Sequence, residues 1–189
     1  MTTYTLLTAD VIAWSAKTDI TSVIPTMCGL FESRVNRGLR VRQMEASFTG
    51  TIASNVIALP SNYVQFKRLW PSGYQDCPLQ PTSIDVVSRE TEGIPTVYAV
   101  DGTNVRFDGT GAIAGVYYRS IPGIVASETN WLSVLAYDAY LFGVLAEVSS
   151  YLMDDAEMAK HWARSQAILD DIRDSDVRSF GPLVARKAK

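Results

Sequence analysis

Tyr137-Asp-Ala-Tyr-Leu-Phe-Gly-Val-Leu-Ala-Glu-Val-Ser-Ser-Tyr-Leu152, followed at once by Met153-Asp-Asp-Ala-Glu-Met-Ala-Lys-His-Trp162, is the stretch on which the fold turns. Tyr137, Tyr140, Leu141, Val144, Leu145, Val148 and Leu152 recur at steps of three and four, which draws an apolar stripe along one side of a helix. Asp154 stands where an N-cap belongs, with Glu157 three residues on, so the unpaired amides of a second helix have acceptors. Met158, Trp162, Leu169 and Ile172 continue a stripe on that second helix. Asn130 caps a short lead-in helix, Trp131 to Leu135. The whole of Trp131 to about Asp176 therefore reads as a helical hairpin that buries one face on itself and leaves its outer faces for other elements or other subunits.

Working outward, Thr8 can cap a helix through about Lys17. Thr21 can cap the next, with Pro25 in its first turn, where a missing N–H costs nothing. Val23, Ile24, Met27, Leu30, Phe31 and Val35 form its inward face; Gly38 can weaken or end the helix, although the arginines on either side let it run on to about Arg40. From Ser47 the period changes to β: Thr49, Thr51, Val56, Ile57 and Leu59 favour strands, with Asn55 punctuating them. Pro60-Ser61-Asn62 marks a turn. Tyr63 to Trp70 alternates with one slip, Pro71 to Pro81 reads as loop, and Ser83 to Arg89 as a short helix. Thr96–Val100 and Asn104–Phe107 flank Asp101-Gly102, a hairpin signal. Asp108-Gly109 begins a second turn, and Ala114 to Arg119 gives a third strand. Helices, then a β-rich centre, then helices argue for α+β rather than an alternating parallel sheet. The expected architecture is a helical bundle formed by the N- and C-terminal helices (8–40 and 131–176), with a central β-rich insertion at about 47–120. A single domain, 1–177, precedes an extended C-terminal arm, 178–189.

The totals set bounds. A chain of 189 residues with 47% apolar residues can build its own core. A net charge of −3 argues neither for nor against nucleic acid, but the charge is segregated. Arg34, Arg37, Arg40 and Arg42 cluster early; Asp170, Asp171, Asp174 and Asp176 cluster late. Such segregation could serve head-to-tail subunit contacts or simply be solvated faces. Cys28 falls in a helical pattern and Cys77 in a loop, which argues against a disulfide. No basic, apolar leader opens the sequence, and no apolar run approaches the ~20 residues that span a bilayer, so a soluble protein assembled in a reducing cytoplasm is expected.

The sequence shows no catalytic, cofactor-binding or metal-ligating constellation. His161 is the only histidine, and with Glu157 at i−4 it reads as a surface histidine near a carboxylate; the two-histidine and cysteine-pair zinc patterns do not occur. Gly109, Gly111 and Gly115 run from strand to strand, whereas a phosphate cradle opens a helix. Asp154/Asp155 and Asp170/Asp171 are adjacent in sequence and so point about 100° apart on a helix. Glu147, mid-helix, is expected to form a structural ion pair with an arginine of the early cluster. Arg34, Arg37 and Arg40 step by three and could meet phosphates, but the aromatic interleaving of single-strand binders is lacking.

Several segments in series resemble the head–tail adaptor (connector, or neck) proteins of tailed bacteriophages. Glu32-Ser-Arg-Val-Asn-Arg-Gly-Leu-Arg-Val-Arg-Gln-Met-Glu45 resembles their first long helix. Leu59-Pro-Ser-Asn-Tyr63 with the strand to Trp70, Gly93-Ile-Pro-Thr-Val-Tyr98, Val116-Tyr-Tyr-Arg-Ser-Ile-Pro122, Asn130-Trp-Leu132 and the hairpin Tyr140 to Trp162 follow in the same order. Tyr137-Asp138 departs from the pattern, since a proline is expected ahead of the long helix. The resemblance implies a structural virion protein, not an enzyme, that needs no cofactor. It implies a homo-oligomeric ring, typically dodecameric, that joins the portal protein to a tail or nozzle protein. Double-stranded DNA would pass through its lumen without specific binding, and no membrane is involved. It places the protein in the virion neck, assembled in the host cytoplasm. By position, it makes Arg178, Phe180, Leu183, Val184, Arg186 and Lys187 a portal-binding arm. Arg34, Arg37 and Arg40 on one helix, and Asp170, Asp171 and Asp174 on another, are the candidate subunit interface. Two rivals stand beside this: a virion-associated peptidoglycan hydrolase acting through carboxylates such as Glu147, and a small DNA-binding protein using the face of Arg34, Arg37 and Arg40.

Overall fold

The computed structural model describes residues 3–87 and 93–178. The elements run α1 (Thr3–Ser15), α2 (Ile24–Gly38), β1 (Glu45–Ile52), β2 (Val56–Ala58), β3 (Tyr63–Pro71), β4 (Gln80–Pro81), α3 (Ile84–Val87), β5 (Val97–Asp101), β6 (Asn104–Phe107), β7 (Gly111–Arg119), α4 (Ile124–Ser127), α5 (Trp131–Leu135), α6 (Tyr137–Tyr151) and α7 (Asp155–Arg178). The fold class is α+β, with helices from both ends of the chain and a β-rich middle. Two compact units result: residues 1–43 with 121–189, and residues 44–120.

The helical unit is organised around α6. Every residue from Ala139 to Ser149 except Phe142 is buried. The sequence suggested one apolar stripe; the helix is covered nearly all round because α1, α2, α5 and α7 all pack on it. A helix enclosed in this way is apolar on most of its circumference rather than two-faced, with Glu147 its buried charge. Leu152, placed in the stripe by its spacing, lies past the helix end and is half-exposed. Gly143 is where α2 comes closest. A Cβ there would lie 2.2 Å from Phe31 Cε2, so only glycine lets the fully buried Phe31 ring sit against the α6 backbone. Each such fully buried side chain contributes about 1.5–3 kcal/mol.

Caps and turns decide where the elements begin. Asn130 Oδ1 accepts from Ser133 N at 2.9 Å, while Asn130 N donates to Ser133 Oγ at 3.0 Å, a reciprocal capping box on α5. Asp154 caps α7 as expected, accepting from Glu157 N at 3.1 Å. The N-terminal helices start elsewhere than their caps suggested. α1 begins at Thr3, and Thr8 sits inside it, its hydroxyl donating back to Tyr4 O. The Thr21 hydroxyl donates to Thr18 O, and α2 begins three residues later with Pro25 in its first turn. It ends at Gly38, short of Arg40, where Leu39 N donates to Val35 O.

In the β unit, β1, β7 and β3 form an antiparallel sheet in that order; β2, β6, β5 and β4 form a second, in which only β4–β5 is parallel. Phe48, Phe66, Leu69, Val105, Phe107, Ile113 and Tyr117 fill the core. The slip in β3 is a pair of register shifts, one of them between Phe66 and Arg68. That shift puts Phe66 and Leu69, three apart, on the same buried face. The β1–β2 turn is built on Ser54 and Asn55, both with positive φ (+50° and +62°). In the next hairpin Asp101 pairs with Asn104, so the tip is Gly102-Thr103, one residue beyond the expected Asp101-Gly102. Gly102 supplies the positive φ, +58°. The Asp108 carboxylate closes the second turn, accepting from Thr96 N (2.9 Å), Thr96 Oγ1 (2.7 Å) and Val97 N (3.2 Å). Partial burial works against its ionisation, yet these bonds outweigh it and hold the carboxyl below its usual range.

Candidate interaction surfaces

The polar side chains of the helical unit include one buried network and the linings of two open grooves beside α7. The network is structural. Asn130 Nδ2 donates to the Tyr140 hydroxyl at 2.9 Å and to Pro122 O at 2.9 Å; Tyr140 in turn donates to Glu32 Oε1, which also accepts Ile124 N at 2.7 Å. Burial, then the Glu32 charge, push the Tyr140 hydroxyl far above its ordinary range. Burial, with Glu32 second, pushes the neighbouring Cys28 thiol up to about 12. Both groups stay protonated near neutrality, and the network fixes the 121–130 segment to α2 and α6. Cys28 and Cys77 are both free thiols. Nothing in the sequence singled this network out, because its members lie up to 108 residues apart.

Of the apolar stripe expected on α7, Leu169 is buried while Met158, Trp162 and Ile172 are only partly covered, and the other inward positions, His161, Ser165 and Asp176, are polar. Ser165 Oγ donates to Ala139 O at 2.8 Å, which lets the two helix backbones approach. His161 is 8% exposed rather than a surface residue. Its ring stacks on Phe142 (centroids 6.0 Å, 15°), and its Nε2 lies 3.4 Å from Glu157 Oε2. Desolvation depresses its pKa, against the pull of Glu157. Among the described residues, no group of three histidine, cysteine, aspartate or glutamate side chains could hold a metal ion.

The first groove, about 350 Å³, lies between the C-terminal half of α2 and α7, with Val35, Leu39 and Leu169 below and Arg34, Arg37 and Arg173 at its edges. Arg34 Nε is 2.6 Å from Glu147 Oε1, its Nη2 donates to Glu147 Oε2 at 3.4 Å, and its guanidinium sits 5.0 Å from the Trp162 ring centre. The ion pair expected of Glu147 is thus formed, with Arg34. The cavity beside Glu147 is lined by Arg34, Ala146, Ser150, Met158 and Trp162 and contains no second carboxylate, so the paired acids of glycoside hydrolysis do not meet there. Arg173 bridges to Asp170 (2.7 Å) and to Gly38 O (3.2 Å). Arg40 does not extend the arginine row. Because α2 stops at Gly38, its Nη1 turns back to Asn36 O (2.8 Å) and Leu39 O (2.5 Å), leaving Arg34 and Arg37 on the groove.

The second groove, about 340 Å³, opens on the other flank of α7. Leu135, Ala136, Ile168 and Ile172 make its apolar part, and Asp138, Asp171, Asp176 and Arg42 its charged part. Asp176 accepts from Arg42 Nε at 2.7 Å. Of the three aspartates picked out by sequence, Asp171 lines this groove, Asp170 is held by Arg173 within its own helix, and Asp174 faces solvent. Arg178 closes α7 as an exposed residue; Phe180, Leu183, Val184, Arg186 and Lys187 lie outside the described residues. At the α6–α7 corner, Tyr151 and Met153 stand exposed, Met153 at 90% and with φ +59°.

The described residues thus form an α+β subunit with two open, oppositely charged grooves beside α7. The SU10 adaptor protein family model matches residues 1–186, and the chain belongs to that family of phage head–tail adaptors. Membership implies a structural protein of the virion neck that associates with other phage head and tail proteins and oligomerises. No curated protein sequence matches the chain. No described helix is long and apolar enough to cross a membrane.

Proposed function

We propose that the chain is the repeating subunit of a ring, typically dodecameric, that joins the portal to the tail or nozzle and passes double-stranded DNA through its lumen without specific binding. The observation that carries the proposal is the pairing of unlike grooves on one helix. A ring needs two different, complementary patches on each subunit, related by a rotation that closes. α7 bears an arginine-edged groove on one flank and a carboxylate-rich groove on the other. Arg34 and Arg37 with Arg173 would face Asp138 and Asp171 of the next copy, while Asp170, Asp174 and Arg40 become peripheral. The mildly acidic subunit suits a channel that must not grip its cargo, because each phosphate contact adds salt-dependent affinity. The C-terminal arm, with Arg178, Phe180, Leu183, Val184, Arg186 and Lys187, is proposed as the portal contact, and assembly is assigned to the host cytoplasm. Light scattering coupled to gel filtration, with and without purified portal rings, tests the proposal. The expected result is a discrete high-mass complex on portal addition; a subunit that stays monomeric and never joins portal rings overturns it.

A further inference from the structure

We infer that the carboxylate-rich groove beside the end of α7 is a binding site for the chain's own C-terminal segment, residues 179–189 of the same copy, in the unassembled subunit. Charge complementarity is the first argument. The groove sets three carboxylates, Asp138, Asp171 and Asp176, against one guanidinium, Arg42. The segment Ser-Phe-Gly-Pro-Leu-Val-Ala-Arg-Lys-Ala-Lys has three cations and no acidic side chain. Apolar matching is the second. Leu135 is 55% exposed at this groove, and Val134 beside it in sequence is 74% exposed. Ile168 and Ile172 are half-covered. Phe180, Leu183 and Val184 are the apolar residues of the segment.

Reach is the third argument. Asp176 and Ser175 line the groove, and the segment starts just beyond Arg178, so it begins at the groove's edge. From Asp176 back to Ile168 the groove follows about 12 Å of helix at 1.5 Å per residue. Five or six residues of extended chain cover about 17–20 Å. Gly181-Pro182 is a turn signal at the place where the chain must double back. The inference stands on the isolated subunit and does not depend on portal binding. It implies that the arm must be released before any partner can take it, and that the groove is occupied until then.

Carbodiimide coupling of the full chain tests this, because it joins lysine amines to nearby carboxylates. Light and ¹⁵N-labelled copies are mixed before coupling, and peptides are mapped by mass. The expected products are Lys187 or Lys189 joined to Asp171 or Asp138 within one isotope label. They should fall by about tenfold in ~1 M salt, where the Debye length is near 3 Å. They should fall similarly in the variant Leu183→Asp/Val184→Asp. Links found only between unlike labels would mean that a second copy is the occupant and overturn the inference. Links scattered over other carboxylates, or unaffected by the arm variant, overturn it as well. Portal-ring binding, scored separately by gel filtration, tells failure of this contact from failure of the adaptor function.

Discussion

Replacing Gly143 by alanine sets two effects of known sign against each other. In a helix interior, Gly→Ala stabilises by about 1 kcal/mol through backbone entropy. At position 143, however, the new methyl would lie 2.2 Å, 2.3 Å and 2.8 Å from three ring carbons of Phe31. Ordinary carbon contacts lie at about 3.5–4.0 Å, so the ring must retreat by more than about 1 Å. It has little room, being fully buried and set edge-on to Tyr140 at 5.0 Å. Tyr140 is in turn held by Asn130 and Glu32, so the strain passes into the buried network. Overpacking of this kind costs about 1–3 kcal/mol, and more where a polar network moves. The expected net effect is destabilisation by up to about 2 kcal/mol once the helix gain of about 1 kcal/mol is subtracted. Gly29 in α2 is the control, because nothing lies within 4 Å of a Cβ there; Gly29→Ala should stabilise by up to about 1 kcal/mol. Urea unfolding followed at the helical circular-dichroism band isolates the helical unit. Combining Gly143→Ala with Phe31→Leu should recover at least about 1 kcal/mol relative to the sum of the single changes. If Gly143→Ala stabilises as Gly29→Ala does, the close α2–α6 approach is wrong.

Asn130→Ala removes a helix cap and two further hydrogen bonds around Tyr140, and should lower stability by about 2–3 kcal/mol in the same assay; a loss under about 0.5 kcal/mol would mean water replaces the side chain. The Asp108 carboxyl is depressed in the folded chain, so its contribution is present above the unfolded value, near 4, and is lost as pH falls through the folded one. Asp108→Asn should therefore flatten the acid limb of β-unit unfolding, and an unchanged limb would refute that linkage. His161 is also depressed, so its unfolded form takes a proton first; stability should fall as pH drops below about 6.5, and His161→Phe should abolish that slope. For the proposed ring, Arg37→Glu and Asp171→Arg should each prevent assembly with portal, and the double exchange should restore it in part; no restoration by the double exchange would remove this pair from the interface.

How much of this was legible follows from what each signal is made of. Asn130 and Asp154 announced their helices because a cap is a local bond between a side chain and amides two or three residues away. The β3 slip was visible as broken alternation, since a bulge changes the face every later residue takes. The β1–β2 turn was only half visible, because Ser54 and Asn55 adopt positive φ without a glycine to mark them. The seam of α7 was misread for a physical reason: His161, Ser165 and Asp176 take inward positions only because Phe142, the Ala139 carbonyl and Arg42 wait there, and partners so remote leave no periodic trace. Arg40 was misplaced because Gly38 ended α2 sooner than the flanking arginines suggested. The Glu147 pairing was foreseeable in kind, since a mid-helix acid on a buried helix needs a cation. That the cation is Arg34 rather than another arginine depended on the packing of α2 on α6.

The helical unit is discontinuous in sequence: its first two helices precede the β unit and its central helix follows it. On the ribosome this imposes an order of events. At about 5–20 residues per second, the 113 residues separating the end of α2 (Gly38) from the end of α6 (Tyr151) take about 6–23 s to synthesise. Throughout that interval the nascent chain carries Ile24, Phe31 and Val35 with no α6 to cover them, while strands β1 to β7 emerge complete and can close on themselves first. A chaperone that shields the α2 surface during those seconds would raise the yield of folded subunits without touching the finished molecule.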